Sequence, residues 1–534
     1  MNLFLSLLLQ VGLTSSLATA KTYELRDNWR LYKKTSTGVF DSVYQTEVPN
    51  SVMGALTNAH IFDDPFYNKN LRNLPGMTYP LGENFTFFEM DAASPFVLPW
   101  IFEKTFFIDQ TNDHVFLHFD GINYKSDIFL NDQKIGSTEG AFRSFEFDIT
   151  PYVLKNKENL LHVEVQAQRI NQLGTTWIDW APSPADKNMG IIGPVYLETH
   201  PDLYVEDAHI KSHVSSNLTS AQVDIFVELK NLRDTQKEVI LYGQILDQYF
   251  EQRLLVLPNS SLKNVFHVNL KNPPLWWPKD MGQANLTDLL LRLSDLNGQT
   301  LDQKNLKVGI REITSELTSF KSRLFKINGK PFFVRGGGWS NDLFLRQDSL
   351  RQEKELKLTQ DLNLNTIRLE GQIASKYLLD WADQNGLMIM AGWACCSHWE
   401  RWHNWKEADY IIAQESLRSQ LKYYRNHASV LTWLYGSDNS PPTSVEKIYL
   451  DVLENEDWPN PTLAAAASKN TLAGLTGVKM TGPYQYVPPS YWYIDQKNGG
   501  AFGFNTETSP GPAIPPLETL VEFLPQDRLW PMND

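Results

Sequence analysis

SLRQEKELKLTQDL, residues 349–362, gives way almost at once to NTIRLEG, residues 365–371. The first stretch reads as a helix free of Gly and Pro, the second as a short strand closed by a glycine. The alternation repeats downstream: SKYLLDWADQNG (375–386) reads as helix, LMIMAGW (387–393) as strand, and a helix over about 410–426 leads into the strand-like VLTWLYGSD (430–438). Strand and helix in turn imply parallel βαβ units, and several in succession imply an α/β barrel or an open sheet. A first strand near 332–335 (in FKINGKPFFVRGGG) is then followed by strands at 366–369, 387–390 and 430–435. LAAAAS (463–468), VKMTG (478–482) and 501–505 serve as the fifth, sixth and seventh, and no eighth follows.

Upstream the pattern is all-β. FEKTFFI, VFLHFDG, SDIFLND and FEFDIT, between 102 and 150, alternate apolar and polar residues between Gly, Asn and Asp turns, as a sandwich or jelly roll does. AHIKSHV, QVDIFVELKN, EVILYGQIL, NVFHVNL and LLLRLSD follow at the spacing of an immunoglobulin-like sandwich. The expected organisation is therefore a signal segment at 1–20, a jelly roll at 21–200, an immunoglobulin-like sandwich at 201–315 and a (β/α)8 barrel at 316–534, incomplete at its C-terminal side. A length of 534 residues suits three or four domains, at roughly 150 residues each.

Composition narrows the partners. A net charge of −14 argues against nucleic acid and anionic membrane and would welcome a cationic substrate. The apolar run at 3–9 and the small residues LATA at 17–20 form a secretory pattern, although no Lys or Arg precedes them. No later run reaches the ~18 apolar residues of a membrane span. Secretion agrees with the sequons at Asn84, Asn217, Asn259 and Asn285. The two cysteines, Cys395 and Cys396, are adjacent, which leaves a vicinal disulfide and a pair of buried thiols both open. No metal site or cofactor is expected, because His398 and His403 lack zinc-ligand spacing. The sequence does not give the oligomeric state, and a monomer is the working expectation.

The chemistry gathers at strand ends. Arg335 and Trp339 follow the first expected strand, Arg368 and Glu370 the second, Trp393 the third, Asp438 and Asn439 the fourth, Tyr484 the sixth, and Asn505 and Glu507 the seventh. The C-terminal ends of barrel strands are where such folds keep their reactive groups. One acid at a loop is ordinarily a solvated turn or a helix cap. Convergence from several strands favours a site, and the pair Asp438 and Glu507 suggests glycoside hydrolysis, in which one carboxyl protonates the leaving oxygen and the other attacks the anomeric carbon.

Taken together, WLYGSDNSPP, MTGPYQYVPPSYWY, FGFNTETSPGPAIPPLE, FFVRGGGWSNDLFLR and NTIRLEG resemble the exo-β-D-glucosaminidases of glycoside hydrolase family 2. LHFDGINYKSDIFLND, WIDWAPSPADKNMGI and PPLWWPKDMGQANL resemble the N-terminal domains of the same family, so that the likeness covers 21–534. Ser437-Asp438 stands where most of the wider family carries Asn-Glu. The resemblance implies a retaining exo-hydrolase that releases glucosamine from chitosan or its oligosaccharides, with Glu507 as nucleophile, Asp438 as acid/base and Glu370 recognising the amine. Trp339, Trp393, Arg368, Asn439, Tyr484 and Asn505 would complete the subsite, with Tyr493 a further aromatic. A retaining pair requires carboxyls ~5–5.5 Å apart. The sequence departs from the family's pattern at Asn341, Gln485, Ile192-Gly193, Ala394 and Ser397. Because relatives carry an eighth barrel strand and further domains, the resemblance also implies that this is the N-terminal portion of a longer enzyme. The alternatives are another family 2 exo-glycosidase, such as a β-mannosidase, and an inactive truncated carbohydrate-binding product.

Overall fold

The computed structural model describes residues 21–34, 42–77, 88–109, 113–494, 503–511 and 514–531. The expected signal segment at 1–20 and the sequon at Asn84 lie outside the described residues. Asn217 and Asn259 are exposed on turns, whereas the Asn285 side-chain nitrogen donates to the Leu275 carbonyl at 3.1 Å.

Two antiparallel sheets enclose the first core. One runs Lys21–Glu24, Val195–His200, His114–Phe119, Phe145–Asp148; the other has six strands, Val43–Thr46, Trp29–Lys33, Trp100–Phe107, Glu158–Gln166, Lys125–Leu130 and Gln133–Glu139. Alternation sets the faces: Asn159, Leu161, Val163 and Val165 are buried while their neighbours on the strand are not. A second sandwich follows, with Leu203–Val214, Ser220–Asn231 and Ser260–Lys271 packed on the sheet Gln248–Val256, Lys237–Ile245, Thr287–Ser294, Thr300–Val308. Its core is mainly aliphatic, built from Val223, Ile225, Leu241, Leu289 and Leu291 among others, with Phe266 the aromatic member.

Beyond it the chain changes type. Ile313–Leu317, Arg323–Ile327 and Lys330–Phe332 form a small antiparallel sheet whose last turn is Asn328-Gly329, both at positive φ. Asn-Gly between apolar runs is a strong hairpin signal, and it overrides the expectation of a parallel strand at 332–335. Phe332 pairs with Phe325 instead. The first parallel strand is β1 (Gly336–Gly338), followed by α1 (Ser349–Asp361), β2 (Thr366–Glu370), α2 (Lys376–Asn385), β3 (Met388–Gly392), α3 (Glu407–Tyr424), β4 (Val430–Leu434), α4 (Thr443–Asn455) and β5 (Thr462–Leu463). These five strands form one parallel sheet in sequence order. Only the first of the six residues of LAAAAS is in a strand. β6 (Val478–Lys479) and β7 (Phe504–Asn505) pair in parallel as a separate two-stranded sheet.

Local chemistry sets the helix ends. Asp348 caps α1 by accepting from the Arg351 N–H at 3.0 Å, Ser375 caps α2 through the Leu378 N–H at 3.1 Å, and Gly386 ends α2 in the left-handed conformation. β3 and β4 are buried throughout, as parallel strands covered on both faces should be. In-register pairing of Glu370 with Gly392, Gly392 with Leu434 and Leu434 with Leu463 brings the C-terminal ends of four strands level. The residues that follow those ends therefore share one rim.

Candidate active site

A buried guanidinium organises the rim. Arg368, on β2, donates to Glu507 Oε1 at 2.6 Å and to the Ser437 hydroxyl at 2.6 Å, and lies 3.3 Å from Glu370 Oε1. Ser437 in turn donates to Glu370. Burial works against the charge of Arg368, but the carboxylates of Glu370 and Glu507 outweigh it and raise its pKa. The second oxygen of Glu507 accepts from the Tyr484 hydroxyl at 3.1 Å. Burial, then the charge of Glu507, pushes that phenol up to about 12, so it stays a donor.

Asp438 follows β4 by four residues. Burial is the main cause that pushes its carboxyl up to about 6; the negative charges of Glu370, Glu507 and Asp179 add to it and Arg368 opposes it. Its oxygen lies 3.7 Å from Cys396 Sγ. Cys395 and Cys396 are thiols rather than a disulfide, and Cys395 is buried, its pKa raised by the hydrogen bond to Cys396 and by burial. The turn holding Asp438 is fastened by Glu400, which accepts from the Ser437 N–H at 2.9 Å, the Asn439 N–H at 3.0 Å and the Asn439 side chain at 3.2 Å. Burial pushes Glu400 up to about 7, against its backbone hydrogen bonds and with the help of Asp438.

The structure thus brings together Asp438, Glu507, Glu370, Arg368 and Tyr484. Other expected residues have different roles. Trp393 does not wall a subsite: it is buried, stacked on Trp399 at 4.2 Å and meeting Trp433 and Phe142 edge-on, because the aromatic run after β3 turns into the core. Trp339 is buried too, its indole N–H donating to Asn341 at 3.0 Å. Asn439 is held by Glu400 and by Lys469, 3.3 Å from its carbonyl. Asn505 donates to the Gly482 carbonyl at 2.5 Å rather than to Glu507. Arg335 pairs with Asp280, leaving Arg368 as the partner of Glu370. Tyr493 is exposed. Glu400 and Asp179 escaped the sequence reading as site residues, and Ser437 entered it only as the neighbour that marks Asp438. Glu400 ends a short 3-10 helix, His398–Glu400, rather than a strand, and Asp179 comes from the first sandwich, whose WIDWAPSP segment was the available signal.

The family profile of the glycosyl hydrolase 2 galactose-binding domain-like fold matches residues 89–173, and that of glycosyl hydrolases family 2 matches residues 203–311. An exo-β-D-glucosaminidase of Streptomyces avermitilis is 33% identical over 511 residues, 91% of this chain and 54% of that protein. One of Amycolatopsis orientalis is 32% identical over 504 residues, 91% of this chain and 47% of that protein. The crystal structure of the Amycolatopsis orientalis exo-chitosanase CsxA is similar at a TM-score of 0.87 and 30% identity, covering 95% of this chain and 60% of that one. The chain carries the domain profiles of glycoside hydrolase family 2 and is similar in sequence and structure to exo-β-D-glucosaminidases. It spans about half the length of the curated family 2 relatives it matches. Asp-to-Ala and Glu-to-Ala variants of CsxA are known in complex with PNP-β-D-glucosamine, both at a TM-score of 0.86 to this chain.

Proposed function

We propose that this chain carries the site of a retaining exo-β-D-glucosaminidase that releases glucosamine from the non-reducing end of chitosan or its oligosaccharides. The observation that carries the reading is the asymmetry of the two carboxyls. Asp438, pushed up to about 6, holds a proton to give, while both oxygens of Glu507 accept donors as a carboxylate requires. A Glu507 oxygen attacks the anomeric carbon as the bond to the leaving oxygen breaks, and the proton of Asp438 passes to that oxygen. Water then attacks the same carbon, gives its proton to Asp438 and frees Glu507. Glu370, held by Arg368 and Ser437, keeps an oxygen for the C2 ammonium of glucosamine, and Asp179 adds negative charge to the same rim.

The parallel strands and helices from β1 onward are, on this reading, part of a (β/α)8 barrel. The first two sandwiches are its jelly-roll and immunoglobulin-like companions, with boundaries near residues 200 and 315. The segment 1–20 directs secretion, and Asn217 and Asn259 are the better placed of the described sequons because their side chains are exposed. Incubation with chitosan oligomers, followed by NMR of the first product, tests the reading. Free glucosamine appearing first as the β-anomer is expected; the α-anomer, or internal cleavage to shorter oligomers, would overturn it.

A further inference from the structure

A second cluster lies far from the rim, on the four-stranded sheet of the first sandwich. His118 projects from one strand, and Glu198 and His200 from its antiparallel neighbour, where His118 sits opposite Tyr196. Residues 196, 198 and 200 share a face by the two-residue period of a strand. The Nε2 atoms of both histidines point at one atom, Glu198 Oε2, from 3.0 Å for His200 and 3.6 Å for His118. All three candidate ligand atoms lie within 4.8 Å of one another. Each ring is held: His118 stacks on Tyr196 at 4.7 Å, and His200 stacks on Tyr204, the second residue of the next sandwich's first strand, at 4.1 Å.

His118 Nε2 is buried and has no hydrogen-bond partner among the described residues, so it is open to a ligand. We propose that His118, Glu198 and His200 bind a divalent cation of the zinc class, tying the first sandwich to the start of the second. Bonds of ~2.0–2.1 Å to a tetrahedral ion place neighbouring ligand atoms about 3.3 Å apart, and the observed 3.0 and 3.6 Å straddle that value. The donor set, two imidazoles and one carboxylate, suits zinc, cobalt or nickel and not calcium or magnesium, which take oxygen shells. Glu146 lies 3.8 Å from the far nitrogen of His118, on the side where a second carboxylate orients a metal-bound imidazole. The three ligands come from two strands, so no local sequence spacing announces the site. Glu198 keeps 29% of its side chain exposed, which leaves a way in.

The test is metal stoichiometry. The full chain, equilibrated with zinc and freed of excess by gel filtration, should retain one equivalent by elemental analysis. The Cys395→Ser/Cys396→Ser variant, which removes the competing thiols, should retain it as well. Cobalt should give the visible spectrum of a tetrahedral site. Both signals should fall at least tenfold in His118→Ala/His200→Ala. If that variant does not fold, Glu198→Gln, which keeps the side chain's shape, should lose the same metal. Retention below a tenth of an equivalent, or stoichiometry unchanged in a folded Glu198→Gln, would overturn the proposal.

Discussion

Asp438 carries the pH dependence. Its carboxyl must be protonated to act, and it is pushed up to about 6, so kcat/KM should fall as pH rises through about 6 on substrates with poor leaving groups. Substrates with activated leaving groups need little protonation and should show a much weaker alkaline limb. Stability has the same sign. The folded carboxyl binds its proton more tightly than the unfolded one, whose ordinary value is 3.8, so the contribution is complete below that pH and is lost as pH rises through about 6. Asp438→Asn should therefore raise the melting temperature relative to wild type at pH 8 but not at pH 3.5, and an equal shift at both would contradict the assignment. Arg368 is the other sensitive residue. Replacing it by Met strands Glu370 and Glu507 without their cation, and a chemical-denaturation experiment should find a loss of about 3–5 kcal/mol along with the activity. At this scale the strand-end rule made Asp438, Glu507, Glu370, Arg368 and Tyr484 legible: register places Arg368, Glu370 and Asp438 on the rim, and hydrogen bonds from Arg368 to Glu507 and from Tyr484 to Glu507 join the other two to it. Glu400 and Asp179 were hidden, since only tertiary folding brings their carboxyls there.

At the scale of elements, the turn after β4 is the tightest constraint. A Cβ on Gly436 would stand 2.3 Å from the Asn439 carbonyl oxygen and 2.5 Å from that of Ala464. Gly436→Ala must push the Ser437-Asp438 turn away from β5, so kcat should drop by at least ~100-fold while thermal stability falls by about 1–3 kcal/mol. A variant with unchanged kcat would show that the turn's position does not matter to the chemistry. The helices α1 to α3 and strands β2 to β4 were legible because period and cap signals agree: Asp348, Ser375 and Gly386 mark ends that the pattern already implied. The first strand was misplaced by four residues, since FKINGKPFFVRGGG holds two strand-like runs and the Asn-Gly turn claims the earlier one for a hairpin. LAAAAS carried too little β-branched character to extend β5 beyond Leu463. Trp393 was misread for a related reason: a strand's alternation does not say which way the chain turns after it.

The whole molecule is assembled around its rim by contacts that cross the sandwich boundaries. Gln420 on α3 donates to the Phe142 carbonyl of the first sandwich at 3.1 Å, and Arg311 donates to the Ala428 carbonyl at 3.1 Å just before β4. Tyr124, Phe142 and Leu173 from the first sandwich share one core with Trp393, Trp399 and Trp433. Such a shared core explains how Asp179, more than two hundred residues before Asp438, contributes to the field at the candidate acid. An acidic rim in a chain of net charge −14 favours a cationic sugar over a neutral one. The most direct measurement is kcat/KM of the expressed chain on aryl β-D-glucosaminide, β-D-mannoside and β-D-galactoside side by side at pH 5.5. Preference for the amino sugar by at least ~100-fold is the predicted result. Equal or greater turnover of a neutral sugar would contradict it.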